Sequence, residues 1–177
     1  MTNYRRFRVP GGVYFFTLRL EDHARTLLTD HIDPLRAAFR AVRTRHPFEI
    51  DAIVILPSHL HCLWSLPEND SDYSRRWRQI KSNFSKAIPA DETISESRRR
   101  KNERGVWQRR FWEHTIRDHR GYATRFDYIH YNPVKHGFVD RVKDWPYSSF
   151  HRCVRLGVYP EDWCGGGGLE DLDLEER

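Results

Sequence analysis

The sequence predicts an α+β protein with one antiparallel sheet covered by helices, and three observations indicate this class. Runs of aromatic and β-branched residues, which are typical of strands, alternate with segments whose apolar residues recur at helical spacing. Proline and glycine residues separate these segments. The 177 residues suffice for one domain with a single core.

The first half of the chain predicts a strand, a helix and a hairpin. Residues 13–20 (VYFFTLRL) follow two glycines and contain no breaker, so they predict a central strand. An amphipathic helix opens at Asp33, and Pro47 closes it. Residues 48–56 and 59–66 are apolar runs on either side of a Pro-Ser turn, and they predict two hairpin strands.

The second half predicts a helix, a loop, a strand and another helix. Residues 73–88 have the pattern of a basic amphipathic helix, and residues 89–106 predict a mobile basic loop. Residues 107–117 could supply the fourth strand. The last helix, residues 119–138, is expected to break at Asn132-Pro133, because proline disfavours helical geometry at the residue before it.

The order strand, helix, strand, strand, helix, strand is the split βαβ pattern of a ferredoxin-like sandwich, followed here by one added C-terminal helix. The domain is predicted to span residues 1–152. Residues 153–177 contain four consecutive glycines and many acids, and they predict an irregular, flexible tail.

The charge of the chain is unevenly distributed. The whole sequence has 30 basic and 25 acidic residues, a net of +5, but residues 161–177 contain seven acids and one base. Residues 1–160 therefore carry 29 bases against 18 acids, a net of +11. A body this basic indicates an anionic partner, with nucleic acid as the first candidate, although basic surfaces also occur without such a function.

Cysteine usage and hydropathy bound the location of the protein. Three cysteines without CxxC spacing argue against a disulfide framework and against a cysteine zinc site, so a reducing cytoplasm is expected. The first twelve residues lack an apolar signal core, and no stretch approaches the about 20 apolar residues that a membrane span needs. A cytoplasmic, nucleoid-associated protein is the expectation.

His59 and His61 form the first candidate site. Residues two apart in a strand point to the same face, so the two imidazoles would lie side by side and could chelate a metal. By itself such a pair is more often a solvated surface feature than a metal site.

Tyr128 and Asn132 form the second candidate, because a spacing of four places them on one helix face. The tyrosine hydroxyl can attack a phosphodiester as a nucleophile, and the asparagine amide oxygen can bind a metal ion. A phenol has a pKa near 10, so its attack on a phosphodiester needs a cation to screen charge and polarise the phosphorus. The ordinary alternative is a core tyrosine and a helix that ends at Asn132-Pro133.

Two motifs together resemble the REP-associated tyrosine transposases, single-tyrosine relatives of the insertion-sequence transposases that carry the His-hydrophobe-His (HUH) motif. The first is His59-Leu60-His61, and the second is residues 128–137 (YIHYNPVKHG). Residues 107–114 (WQRRFWEH) and 144–149 (DWPYSS) match as well. The resemblance runs from about residue 10 to about residue 152.

The resemblance implies a ferredoxin-like fold whose added helix carries the nucleophile. It makes Tyr128 that nucleophile, His59 and His61 ligands of Mg²⁺ or Mn²⁺, and Asn132 the third ligand, where insertion-sequence relatives usually have glutamine. Tyr131 is the competing nucleophile. The implied reaction on single-stranded DNA next to a palindromic hairpin forms a 5′-phosphotyrosine and releases a 3′-hydroxyl. A monomer is favoured over a dimer.

Basic residues in three segments and one helix are the predicted phosphate contacts. They are Arg5, Arg6, Arg8, Lys81, Arg98, Arg99, Arg100, Lys101, Arg109 and Arg110. Trp107 and Trp112 could stack on bases but are assigned to structure. The acidic tail is either inert or competes with DNA for the basic face.

Two other functions remain open at this stage. The chain could be a non-catalytic regulator that binds hairpin DNA through the same basic face. It could also be a metal hydrolase that uses water as the nucleophile. After Tyr128→Phe, the regulator would still bind hairpin DNA and the hydrolase would still cleave it.

Overall fold

A computed structural model describes residues 7–169, 171, 172 and 174, and it contains one four-stranded sheet. The strands are β1 (Val13–Arg19), β2 (Glu49–Ile55), β3 (His59–Ser65) and β4 (Trp112–Thr115). Their order across the sheet is β2-β3-β1-β4, and every neighbouring pair is antiparallel. This is the strand order of a ferredoxin-like sandwich, so the predicted fold class is confirmed.

Helices cover both faces of the sheet. They are α1 (Leu27–Asp30), α2 (Ile32–Arg45), α3 (Tyr73–Ala87), α4 (Glu96–Arg99), α5 (His119–Lys135) and α6 (Phe150–Arg155), with a 3₁₀ turn at Val142–Asp144. Helices α2 and α3 pack together on one face, while α5 packs on β2 and β3 from the other. No helix in the described part of the chain is both long and apolar enough to cross a membrane.

The period-two alternation of β1 separates the two cores. Tyr14, Phe16 and Leu18 point to α2 and α3, whereas Phe15 points to α5. Strand β1 lies in the interior of the sheet, between β3 and β4, and it is buried on both faces. This explains why its sequence is an almost continuous apolar run. The predicted central strand is therefore confirmed.

Helix α5 has defined caps at both ends. The Asp118 carboxylate accepts a hydrogen bond from the Gly121 N–H at 2.6 Å, which caps the N-terminus. At the other end, the N–H groups of Gly137 and Phe138 donate to Val134 and Pro133 carbonyls, with Gly137 at φ +69°. This is a Schellman motif, in which glycine tolerates the left-handed conformation.

The predicted break at Asn132-Pro133 is wrong. Helix α5 runs through Pro133 to Lys135, and the His136 N–H donates to the Asn132 carbonyl at 3.0 Å. Pro133 is buried together with Asn132 on the side of the helix that faces the protein. Packing of this last turn outweighs the local preference of a residue before proline.

The fourth strand and the loop before it also differ from the prediction. Strand β4 has four residues rather than the predicted eleven, because Trp107 forms only an isolated bridge with Leu20 and the ladder with β1 covers Trp112–Thr115. The loop contains α4, and arginine side chains connect it to the end of α3. Arg104 donates to the carbonyl of Ile88 at 2.9 Å and forms an ion pair with Glu92 at 2.5 Å.

The C-terminal segment is irregular after α6 but packs against the body. The predicted boundary between residues 152 and 153 falls inside α6. Tyr159 packs on Phe150 at 5.5 Å between ring centres, and Leu169 is buried in the cluster that contains Tyr128. The described part of the predicted tail is therefore attached to the α5 side of the molecule.

Candidate active site

The two histidines lie on β3, an interior strand, and both side chains face α5. Their ring centres are 5.2 Å apart, and both are buried, His61 completely. Thr17 lies opposite His61 in the β1–β3 ladder, and its Oγ1 is 2.8 Å from His61 Nδ1. In the tautomer whose Nδ1–H donates to Thr17, His61 Nε2 keeps the lone pair that a metal ion requires.

Tyr128 faces this pair from α5, and Asn132 lies one helical turn after it. The Tyr128 ring centre is 5.5 Å from that of His61, with the rings nearly perpendicular. Both residues have no exposed surface. The sequence spacing thus predicted correctly that Tyr128 and Asn132 share a helix face, and the structure brings that face to the histidine strand.

The Asn132 carboxamide is the buried polar group at this site whose hydrogen bonding indicates a ligand role. Within the described part of the chain, neither its Oδ1 nor its Nδ2 has a hydrogen-bond partner. A buried polar group left without a partner costs about 1–3 kcal/mol. An amide oxygen in this state, one helical turn after the tyrosine that contacts His61, fits a ligand position for a hard cation.

A metal ion at this place would need a ligand other than the side chains of His, Cys, Asp and Glu. Among the described residues, no three His, Cys, Asp or Glu side chains are grouped so that they could hold a metal ion. Two imidazoles and the Asn132 carboxamide form a donor set outside those residue types, and a phosphate oxygen could complete it. The residues present therefore fit the metal that the resemblance implies.

Two further groups at this site were missed by the sequence prediction. Lys135 places its Nζ 5.0 Å from the centre of the Tyr128 ring. His136, the residue that follows α5, has its ring centre 5.1 Å from that of His59. Helical spacing from Tyr128 could have indicated Lys135, but His136 approaches His59 only through the fold.

The neighbouring residues Tyr131 and His130 take other places. Tyr131 lines a separate cavity with Val142 and Trp163, so the geometry favours Tyr128 as the residue that faces the histidines. His130 is fully buried, and its Nε2 is 2.8 Å from Ser149 Oγ. Burial lowers the pKa of His130 to about 3, which supports a structural role for this residue.

The predicted phosphate contacts fall into three groups. Arg5 and Arg6 lie outside the described residues. Arg8, Arg99, Lys101 and Arg110 are exposed, as are Arg100 and Arg109, which pair with Glu96 and Glu103. Lys81 is half-buried and donates to the Gln108 carbonyl at 2.6 Å.

Arg98 differs from the other members of this set. It is buried, and its guanidinium forms an ion pair with Glu21 at 2.6 Å and donates to the Trp107 carbonyl at 3.2 Å. This geometry favours a structural role over the predicted phosphate contact. Lys81, Lys101 and Arg109 line an open groove of about 750 Å³ between α3 and the loop before β4, with Arg98 at its base.

A ferredoxin-like sheet with a histidine pair on an interior strand and a tyrosine on the covering helix is the arrangement that the resemblance to single-tyrosine transposases implies. The sequence profile of a family described as "Transposase IS200 like" matches residues 13–132. The matched range contains the histidine pair, Tyr128 and Asn132.

Individual relatives give a narrower assignment. The REP-associated tyrosine transposase of Escherichia coli (strain K12) is 47% identical over 177 residues, which cover 100% of this chain and 98% of that protein. A protein of Haemophilus influenzae (strain ATCC 51907 / DSM 11121 / KW20 / Rd) that carries the same designation provisionally is 49% identical over 99% of this chain and 98% of its own length. A solved structure of a REP-associated tyrosine transposase bound to a REP hairpin superposes with a TM-score of 0.86 at 45% identity, covering 100% of this chain and 98% of that one. The chain therefore belongs to the IS200-like transposases, among the REP-associated tyrosine transposases.

Proposed function

We propose that this protein cleaves and rejoins single-stranded DNA beside a palindromic hairpin, with Tyr128 as the nucleophile. The observation that carries the proposal is the position of Tyr128. Its ring lies 5.5 Å from His61 and one helical turn from Asn132, whose amide has no hydrogen-bond partner among the described residues. The relative whose structure is bound to a REP hairpin supports hairpin DNA as the substrate class.

The proposed reaction is a transesterification. A bond forms between Tyr128 Oη and the phosphorus, while the bond from phosphorus to the 3′ oxygen of the upstream nucleotide breaks. The phenol gives up its proton and the departing oxygen takes one up, so the products are a 5′-phosphotyrosine and a 3′-hydroxyl. The bond is exchanged rather than hydrolysed, so a 3′-hydroxyl can later attack the adduct and rejoin the strand without an external energy source.

His59, His61 and Asn132 are the residues that would hold a divalent cation, with Mg²⁺ or Mn²⁺ as the candidates. When bound, such a cation screens the phosphate charge and polarises the phosphorus. The chain's own contribution is orientation. Thr17 holds the ring of His61 at 2.8 Å, and the buried face of α5 fixes Tyr128 against the sheet.

Binding of the hairpin is assigned to the basic surface, on which the exposed arginines and lysines supply phosphate contacts. All four members of the proposed site come from one chain, which supports action as a monomer. The groove between α3 and the loop before β4 is the candidate place for the DNA backbone, because cations line both of its walls.

The test is the formation of a covalent adduct. End-labelled single-stranded hairpins with flanking sequence are incubated with the protein and Mn²⁺, and protein-bound label is measured on a denaturing gel. We expect an adduct from the unaltered chain and from Tyr131→Phe, but none from Tyr128→Phe, because the nucleophile is lost. Chelator and His61→Ala should each reduce the adduct by at least about 10²-fold.

The two alternative functions predict different gels. A water-dependent hydrolase would still cleave the label after Tyr128→Phe, without any adduct. A non-catalytic regulator would bind the hairpin equally well before and after the substitution and cleave nothing. Loss of the adduct in Tyr131→Phe but not in Tyr128→Phe would contradict the assignment of the nucleophile.

A further inference from the structure

Lys135 shares one face of α5 with Tyr128 and Asn132, seven and three residues after them. Its Nζ is 5.0 Å from the centre of the Tyr128 ring. The side chain is half-buried, so the ammonium is held near the ring instead of being dispersed in solvent. A lysine in the last turn of a helix ordinarily interacts with the free helix carbonyls. The Lys135 ammonium instead lies over the ring of Tyr128.

The present partner of the Lys135 ammonium is electrically neutral. Nζ donates to the backbone carbonyl of Leu172, and within the described part of the chain no carboxylate forms an ion pair with it. Among the described residues, its positive charge is therefore not cancelled by a carboxylate. A charged phosphate oxygen is a stronger acceptor for an ammonium than a neutral carbonyl, so bound DNA is able to replace Leu172 as its partner.

A second cation lies near the same rings. The Arg125 guanidinium is 6.0 Å from the centre of the Phe15 ring. Phe15 in turn contacts both His61, at 5.6 Å, and Tyr128, at 6.2 Å between ring centres. Arg125 therefore adds positive charge beside the ring cluster that contains Tyr128, and this suits a reacting phosphate, which is negatively charged throughout the reaction.

We propose that Lys135 is a further catalytic residue, whose ammonium binds a non-bridging oxygen of the phosphate that Tyr128 attacks. This inference rests on the proposed function of Tyr128. During the exchange, negative charge is spread over the non-bridging oxygens, and a cation already positioned there stabilises it without reorganisation. Lys135 gains and loses no proton in this step; it stays on the same oxygen in the phosphotyrosine.

The test compares the rate of adduct formation with the affinity for DNA. Single-turnover reactions with excess protein and Mn²⁺ are measured for the unaltered chain, Lys135→Met, Lys135→Arg and Lys143→Met. Lys143 is the control because it lies on the α5 side, where it forms an ion pair with Glu161 at 3.0 Å, and because its removal likewise deletes one positive charge. Hairpin affinity is measured on the same proteins, and thermal unfolding verifies their folding.

We expect Lys135→Met to slow adduct formation by about 10²-fold, the scale on which loss of one stabilising donor reduces a rate. Its hairpin Kd should change less than about threefold, since one phosphate contact among many contributes little to affinity. Lys135→Arg should recover most of the rate, and Lys143→Met should leave both quantities unchanged.

A chemically altered substrate separates catalysis from a structural role. Once the adduct position is mapped, a neutral methylphosphonate at that position removes the charge that Lys135 is proposed to bind. The unaltered chain and Lys135→Met should then react at similar rates, whereas a merely structural lysine would give the same ratio as on the natural phosphate.

The outcomes distinguish two failures. A normal adduct rate in Lys135→Met, or a rate loss matched by an equal loss of affinity, overturns the role of Lys135 while Tyr128 stands. Absence of any adduct from the unaltered chain overturns the proposed function, and the role of Lys135 with it.

Discussion

The two faces of the sheet bury different kinds of residue. The face under α2 and α3 is filled by large rings, with Trp64 stacked on Trp77 at 4.1 Å between ring centres. The polar atoms that these rings bury are indole N–H groups. The face under α5 buries His61, Tyr128 and Asn132, all with no exposed surface. The first face is filled mainly by aromatic rings, whereas the second also buries an imidazole, a phenol and a carboxamide.

Buried charges sharpen this difference. On the α2 and α3 side, Arg76 is 2% exposed and pairs with Asp70 at 2.7 Å, and Arg98 pairs with Glu21. Each cation there is cancelled by a carboxylate. On the α5 side, Asn132 has no hydrogen bond and Lys135 no ion pair within the described residues. A buried amide oxygen and an ammonium without a carboxylate partner are groups to which a metal ion and a phosphate can bind.

The comparison predicts that stability is concentrated in the face under α2 and α3. Trp64→Ala should lower the free energy of unfolding by about 3–5 kcal/mol, because it removes a fully buried ring and leaves a cavity. Trp112→Ala is the matched control on the α5 face, where the ring is only partly buried against Phe15 at 5.6 Å. Urea unfolding of both variants measures the difference. Equal losses would contradict the proposed division between the faces.

Much of the fold followed from residue patterns, for reasons that particular elements show. Alternation placed Phe15 and Phe16 on opposite faces of β1, and the two-residue spacing placed His59 and His61 together, because both are local properties of a strand. The approach of His136 to His59 joins positions far apart in the chain, so no local pattern carries it.

The errors arose where tertiary contacts override local preference. Pro133 stays helical because its turn is buried. Arg98 has the sequence context of an exposed basic loop, but ion pairing with Glu21 draws it inside. Docking of Leu169 beside Tyr128 depends on a surface that only the complete fold forms. The roles of Tyr128, the histidines and the exposed arginines stay predictions.

A smaller effect on stability is expected from His130, a buried polar residue on the α5 side that has a hydrogen-bond partner. Its Nε2 lies 2.8 Å from Ser149 Oγ, Cys153 Sγ lies 3.9 Å away, and the Tyr159 ring packs on it at 5.3 Å. Burial, assisted by the charge of Arg152, lowers the pKa of His130 from 6.5 to about 3. Between about pH 3 and pH 6.5, His130 is therefore protonated in the unfolded chain and neutral in the folded chain.

Stability should therefore fall as the pH drops below about 6.5, and the loss continues toward pH 3. From pH 7 to pH 5 this histidine alone should remove about 2 kcal/mol. Urea unfolding at both pH values, in the presence of chelator, measures the loss for the unaltered chain and for His130→Gln, which cannot titrate. A pH dependence identical in the two proteins would show that His130 is protonated in the fold.

The smallest expected change in stability, and the sharpest contrast with Trp64, is at Asn132. Replacing its carboxamide by an apolar group of similar size, Asn132→Leu, removes two buried polar atoms without a hydrogen bond. The free energy of unfolding should stay the same or rise by up to about 1 kcal/mol. Adduct formation should nevertheless fall by at least about 10²-fold, since a ligand matters no less than the groups that orient it. Asn132→Gln keeps the amide oxygen and should retain part of the activity. A stability loss above about 2 kcal/mol in Asn132→Leu would instead mean that the amide serves the fold, and the contrast between the two faces would not extend to this residue.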